Sequence, residues 1–305
     1  MLVGNGGILP SELLRPSLTN QKGFYESWYW VNANDNILGD IGLRWDSIIP
    51  TPKIIECNSF INSKKNLIIE SIRKGFSGQY DLNAPLIIKD PRICRTFPIW
   101  EKALMELKIE INLLLPVRHP FEVIHSLELR DGIRPIEACY IWIWNVVESL
   151  IFSKNQKPKF VNYEKVLENP ISYLSEVLST AVDDKCSSIV DVRLNHNFKA
   201  RDYYKENEEP FYTAMNLYER IQSAAKPCLE LIEFCTQLHF HSQYLLAKEK
   251  RKNKRLINGL LKNSLIENDQ QNKTFIKWAA INPITHIIKI MSKFLAYIKN
   301  CRSLR

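Results

Sequence analysis

Leu115-Pro116-Val117-Arg118-His119-Pro120-Phe121-Glu122-Val123-Ile124-His125-Ser126 is the stretch on which the reading of this chain turns. It closes an apolar run at 109–117 that has the length and flanks of a fully buried strand. Arg118 follows at once, Pro120 suits the first position of a helix, and Ser126 stands eight residues after the arginine. An arginine delivered by a strand end can grip a phosphate with two parallel N–H donors. The helix N-terminus adds partial positive charge, and Ser126 adds a hydroxyl donor. The competing reading of the same residues is an arginine paired with an acid, beside a solvent-facing serine.

Working outward, Ala84-Pro85-Leu86-Ile87-Ile88 is a second apolar run and ends in Lys89-Asp90-Pro91-Arg92. A third strand is expected over Lys159-Phe160-Val161-Asn162-Tyr163. Helical patterns are expected from an N-cap at Ser27 towards Leu38, then over 58–76, 98–107, 122–130, 135–152, 170–180 and 211–250. Glycines and prolines punctuate 1–23, which reads as loop, and 181–210 reads as irregular. Strand, polar loop, helix is the rhythm of a doubly wound α/β fold, in which ligands lie beyond the carboxyl ends of the strands.

Composition bounds the function. The 305 residues are 45% hydrophobic and 24% charged, enough for a sizeable core and unlike a collagen or a low-complexity chain. Seven cysteines without a CxxC pair argue against a zinc ribbon or thioredoxin motif and fit reduced thiols in a cytoplasmic protein. His119, His125 and His196 do not form a spaced metal cluster, so each reads as structural, and no metal is expected. No 18-residue apolar stretch is present, so no spanning helix is expected.

The net charge of +8 is unevenly placed. From Lys248 onward there are 14 Lys/Arg against 3 Asp/Glu, a net of +11; the first 247 residues hold 27 against 30, a net of −3. The chain therefore divides into a near-neutral domain at 1–247 and a basic helical tail at 248–305. One basic tail does not make a nucleic-acid binder, and none is expected as partner. Ile284, Ile287, Ile288, Met291, Phe294, Leu295 and Ile298 form one apolar helical face with Lys289, Lys293 and Lys299 off it. That face suits peripheral contact with the anionic inner face of a membrane, or packing on the body or a partner.

The segment from Arg118 to Ser126 resembles the 3′-phosphate-binding segment of sulfotransferases, the enzymes that use 3′-phosphoadenosine 5′-phosphosulfate. Further segments are similar in the same order. Asn20-Gln21-Lys22-Gly23-Phe24-Tyr25-Glu26 looks like the "NPKGYFE" of bacterial members. Leu86-Ile87-Ile88-Lys89-Asp90-Pro91-Arg92 looks like their "LLKDPR" strand end, and the run from Phe160 to Pro170 like "RYEDLLxxP". Arg130-Asp131-Gly132 and the tryptophan-bearing helix after it also match, so the similarity covers about 8–240.

The resemblance implies a P-loop NTPase-like parallel sheet with flanking helices and a helical C-terminal tail. It implies 3′-phosphoadenosine 5′-phosphosulfate as co-substrate and sulfuryl transfer to a hydroxyl of a small-molecule, carbohydrate or glycan-like acceptor. Arg118 and Ser126 would hold the 3′-phosphate, and Tyr163 would lie against the adenine. Lys89 would bond the leaving oxygen as it gains charge. The cytosolic branch places a histidine base two residues after the lysine; here Pro91 stands there. Glu26 is the candidate base, a surface or capping role being its rival, and Asp90 is the second candidate, against a turn-holding role.

The family's Arg-Ser-Gly-Thr loop, which cradles the phosphosulfate with backbone N–H groups, has no counterpart in this sequence. Gly4-Asn5-Gly6-Gly7 lacks its basic and hydroxyl residues and reads as a turn. Two expectations follow: either the natural start lies upstream of Met1, or the chain is an inactive sulfotransferase-like remnant that binds a nucleotide or partner. A P-loop kinase is disfavoured, since there is no Walker lysine or metal-binding Asp set.

Overall fold

The computed structural model describes residues 2, 6–17, 20, 23–77, 84–179, 182, 208–224 and 226–264, with backbone alone at 249–250 and 252–264. Gln21, Lys22, His196, most of 181–210 and the apolar stripe from Ile284 to Ile298 lie outside the described residues.

Ser27 ends an extended segment, and its hydroxyl accepts from Tyr29 N, so α1 begins at Trp28 and runs to Asp40. Then come α2 (Asn58–Gly75), α3 (Ile93–Glu106), β1 (Leu114–Val117), α4 (Pro120–Asp131) and α5 (Pro135–Phe152). After α5 come β2 (Lys159–Asn162), α6 (Tyr163–Glu168), α7 (Pro170–Leu178), α8 (Phe211–Ser223) and α9 (Leu229–Ser264). The fold is mixed α/β and mostly helical, with a two-stranded parallel sheet. No helix among the described residues is long and apolar enough to cross a membrane.

Two apolar clusters fill it. One packs α1, α2 and α3 around Trp30, Ile68 and Trp100. The other packs α4, α5, α8 and α9 around Phe121, Tyr140, Trp144 and Leu217. The α5 sequence is apolar nearly all round because it touches α3, α4, α8 and α9. A buried polar knot ties the clusters. Glu148 of α5 accepts from Thr51 N and from Thr51 Oγ1 at 2.7 Å, with His239 Nε2 of α9 3.3 Å away and Arg95 Nε of α3 3.9 Å away.

The strands depart from expectation. The 84–88 run forms one parallel bridge, Ile8 to Leu86, rather than a strand, and β1 occupies only the end of 109–117. Nor are these runs fully buried: Leu86, Ile88, Leu114 and Leu115 are half-buried, and Pro116 is exposed. The reason is that β1 pairs with β2 alone among the described residues, so its other edge has no neighbouring strand. Tyr163, expected at the end of β2, instead opens α6, because Asn162 caps it by accepting from Lys165 N at 2.9 Å. The third helix starts five residues before the expected 98 and carries Pro98 inside it. At the far end, α9 carries straight through the composition shift at Lys248.

Candidate functional site

The segment 84–89 and the run 109–117 both line one cavity of about 1780 Å³, which also takes in the residues just after each. Lys89, Glu26 and Arg92 line one side of it; Arg118 and Ser126 line the other.

On the first side, Lys89 Nζ donates to Glu26 Oε1 and, at 2.9 Å, to the Phe24 carbonyl. The ammonium stem is half exposed, whereas the Glu26 side chain is only 6% exposed. Burial pushes the Glu26 carboxyl above the usual carboxylate range, and Lys89 beside it pulls the other way. Glu26 is thus neither a surface residue nor a helix cap. Its neighbour Asp90 is committed to the turn: it accepts from Arg92 N at 2.9 Å, Arg92 Nη1 at 3.0 Å and Asn34 Nδ2 at 2.9 Å. Asp90 also lines the cavity, but its oxygens are engaged, which leaves Glu26 as the carboxylate bonded to the lysine.

The mount beneath this pair is a set of residues that sequence reasoning had not assigned. Trp30 Nε1 donates to the Lys89 carbonyl at 3.1 Å. Asn34 Oδ1 accepts from Thr96 Oγ1 and Trp100 Nε1, both at 2.8 Å. Arg92 bonds Asp35 Oδ1 at 2.6 Å and lies 3.7 Å from Glu26 Oε2. One signal was present: Asn34 falls on the buried stripe of Trp30, Val31, Ile37 and Leu38. A buried amide at such a position needs partners.

On the second side, the register pairs Val117 with Asn162, which brings the following residues, Arg118 and Tyr163, side by side. The Arg118 guanidinium carbon sits 4.6 Å from the Tyr163 ring centroid. Arg118 Nε donates to Glu122 Oε2 at 2.8 Å, and that carboxylate is fully buried. The Arg118 carbonyl accepts from Trp142 Nε1 at 3.3 Å. The arginine therefore has the acid partner that the competing reading supposed, while still lining the cavity. Ser126 lines the cavity one helical turn beyond Glu122; Tyr163 touches Arg118 but is not a lining residue.

His119 is structural: it caps α4 by accepting from Phe121 N at 3.2 Å and meets Phe121 and Tyr218 edge to face. His125 lies 3.6 Å from Glu128. Among the described residues no group of His, Cys, Asp and Glu could hold a metal. Cys94 lines the cavity, but burial pushes its thiol up to about 12, so it is not a thiolate nucleophile at neutral pH. Of the turn expected over Gly4-Asn5-Gly6-Gly7, Gly4 and Asn5 lie outside the described residues; Gly7 N donates to the Leu2 carbonyl at 3.0 Å. A Cβ at Gly7 would meet the Ile87 side chain and come within 2.8 Å of the Leu2 carbonyl oxygen, so the backbone packs closely there.

The arrangement can bind an anion between the two sides and offers a shielded carboxylate beside an ammonium. No family model, no curated protein and no solved structure matches this chain.

Proposed function

We propose that this chain carries a sulfuryl-transfer site. Its co-substrate is 3′-phosphoadenosine 5′-phosphosulfate, and its acceptor is a hydroxyl of a carbohydrate or glycan-like molecule. The fold on this reading is a P-loop NTPase-like sheet. The observation that carries it is the Lys89–Glu26 pair at the carboxyl end of one chain segment, sharing a cavity with Arg118 and Ser126 at the end of another.

Each residue has a task that its surroundings suit. Arg118 and Ser126 hold the 3′-phosphate, and Tyr163, which stacks on the Arg118 guanidinium, lies against the adenine. Lys89 donates to the oxygen that bridges sulfur and the 5′-phosphate as the S–O bond breaks. Glu26 takes the proton from the acceptor hydroxyl while the new O–S bond forms. A carboxyl with raised proton affinity is a better base at neutral pH than an exposed one. Lys89 and Glu26 are in contact before substrate arrives, so the acceptor oxygen and the leaving oxygen must separate them.

A second reading keeps the nucleotide and drops the chemistry. One observation favours it: Arg118 is held by the buried Glu122. One pair of experiments separates the readings. Calorimetric titration with 3′-phosphoadenosine 5′-phosphate should show binding that Arg118→Ala weakens. Labelled sulfate should pass to a mixed carbohydrate pool from the 5′-phosphosulfate donor. Binding without transfer leaves the second reading, and no binding by wild type removes both.

A further inference from the structure

The chain leaves α4 through Arg130-Asp131-Gly132, three residues to which the proposed chemistry gives no task. Two of them belong to the cavity wall. Val123, Ser126, Leu127, Arg130 and Asp131 all line it. Spacings of three and four put these residues on one face of the helix, whereas Leu129 is 69% exposed and off that face. Ser126 and Arg130 therefore stand one turn apart on the same wall, about 6 Å along the axis. A long side chain on a helix can lie back over the turn that precedes it, and that turn carries Ser126.

Arg130 is held by Asp131. Its Nε donates to Oδ1 at 3.1 Å and to Oδ2 at 2.9 Å, and its Nη2 donates to Oδ2 at 2.7 Å. This pair differs from Arg118–Glu122 in what the acid can do. Glu122 is fully buried and has no water to turn into; Asp131 is 26% exposed and can swing out. Asp131 is also the last residue of α4, ahead of Gly132 at φ 66°, where the helix dipole favours a cation and disfavours an acid. The acid thus costs the helix stability, and what it holds is Arg130.

Charge decides what the arginine is for. A phosphate monoester carries roughly −1.5 to −2 near pH 7. Arg118 meets it with a charge that Glu122 already balances, and Ser126 brings none. Of the α4 residues that line the cavity, Arg130 alone is a cation, and its partner is the one that can be released.

We infer that Arg130 is a third ligand of the 3′-phosphate, exchanging Asp131 for the nucleotide, and that it sets selectivity for a nucleotide bearing that phosphate over one without it. The inference rests on the sulfuryl-transfer reading for the identity of the nucleotide. Asp131 keeps the guanidinium paired until the phosphate arrives, then turns to solvent.

The test is calorimetric titration of the whole chain with 3′-phosphoadenosine 5′-phosphate and with 5′-AMP, which lacks the 3′-phosphate. Arg130→Ala should weaken the first about tenfold to a hundredfold and the second less than about threefold. Arg130→Lys keeps the charge without the fork and should recover part of the selectivity. Asp131→Asn should tighten the first nucleotide about threefold to tenfold, and the gain should vanish when Arg130→Ala is added. That cycle needs no 5′-AMP, and Asp131→Asn with Arg130→Lys carries the test if circular dichroism shows Arg130→Ala unfolded. Equal weakening of both nucleotides by Arg130→Ala, or a gain from Asp131→Asn that survives the loss of Arg130, would overturn the inference. If Arg118→Ala weakens the 3′-phosphorylated nucleotide and Arg130→Ala does not, the site stands and Arg130 is no part of it. If folded wild type binds neither nucleotide, the sulfuryl-transfer reading falls and this inference falls with it.

Discussion

The two sides of the mouth both hold a cation against a carboxylate, yet they are built in opposite senses. At Lys89–Glu26 the cation is half exposed, and the acid is buried with its proton affinity raised. At Arg118–Glu122 the acid is also buried, but the cation is boxed by the Tyr163 ring and capped at its carbonyl by Trp142. The first pair is poised to exchange a proton and to let an ammonium move. The second is fixed in place and must trade its acid for any incoming phosphate. On the proposed function, chemistry belongs to the first side and grip to the second, and each variant below tests that division.

The largest effects belong to the first side. Lys89→Ala should lower turnover about 10²–10³-fold, with nucleotide affinity nearly kept, because its bond strengthens only as charge develops. Glu26→Gln should cost about 10²–10⁴-fold and remove the acid limb of the rate profile. The sign follows from burial. On the proposed mechanism, wild-type activity should fall as pH drops through the raised Glu26 pKa and the base takes up a proton. Stability runs the other way: a carboxyl with raised folded pKa favours the fold when protonated, and that advantage is lost as pH rises through the folded value. At neutral pH, Glu26→Gln should therefore melt no lower than wild type, since the half-exposed Lys89 can hydrate. A variant that keeps turnover, or one that loses turnover only because it unfolds, sinks the assignment of Glu26 as base.

Next comes the mount. Asn34→Ala strands Thr96, Trp100 and Asp90 of their shared partner in a buried setting and should cost about 3 kcal/mol in chemical denaturation. The Arg118 side, which lies across the cavity, should keep its nucleotide affinity in whatever fraction stays folded. A loss below about 0.5 kcal/mol would mean that Asn34 does not position the Lys89 segment.

What the sequence made legible follows from this contrast. The helices are readable from different signals: α1 from its capping Ser27, α5 from Pro135 at its first position, and α2 from its helical pattern alone. Arg118, Ser126, Lys89 and Glu26 stand out in the sequence because they sit at the ends of apolar runs or in a quoted motif, and all four line one cavity. The extent of the strands was not readable: an apolar run is the same string whether or not a neighbouring strand covers it, so 84–88 and 109–117 read as buried. The acid partners were missed for a related reason. Glu122 becomes Arg118's partner only when α4 starts at Pro120 and turns its third position back onto the strand end. Asn34 required knowing that Asp90 and Trp100 lie over the same face of α1.

On the gripping side, Arg118→Ala should weaken 3′-phosphoadenosine 5′-phosphate by roughly 1.5–3 kcal/mol, the range of hydrogen bonds to charged groups. Turnover at saturating donor should change far less. Calorimetry showing equal affinity for variant and wild type would place the 3′-phosphate elsewhere in the cavity.

The smallest effect, and the sharpest test of the contrast, is Glu122→Gln. The substitution keeps the shape and one acceptor oxygen but removes the charge that now holds Arg118 Nε. If Glu122 competes with the phosphate, its neutralisation should tighten nucleotide binding about threefold to tenfold, since the guanidinium no longer gives up an ionic partner. If Glu122 instead aims the guanidinium, the amide will hold it less firmly against Tyr163, and binding will weaken. The same titration on Glu122→Gln with Arg118→Ala separates these outcomes. A competitor's effect vanishes once Arg118 is gone, because there is nothing left to release. A double variant that still binds tighter than Arg118→Ala alone would show that Glu122 acts on the anion through its own charge, and that the two walls differ less than their geometry suggests.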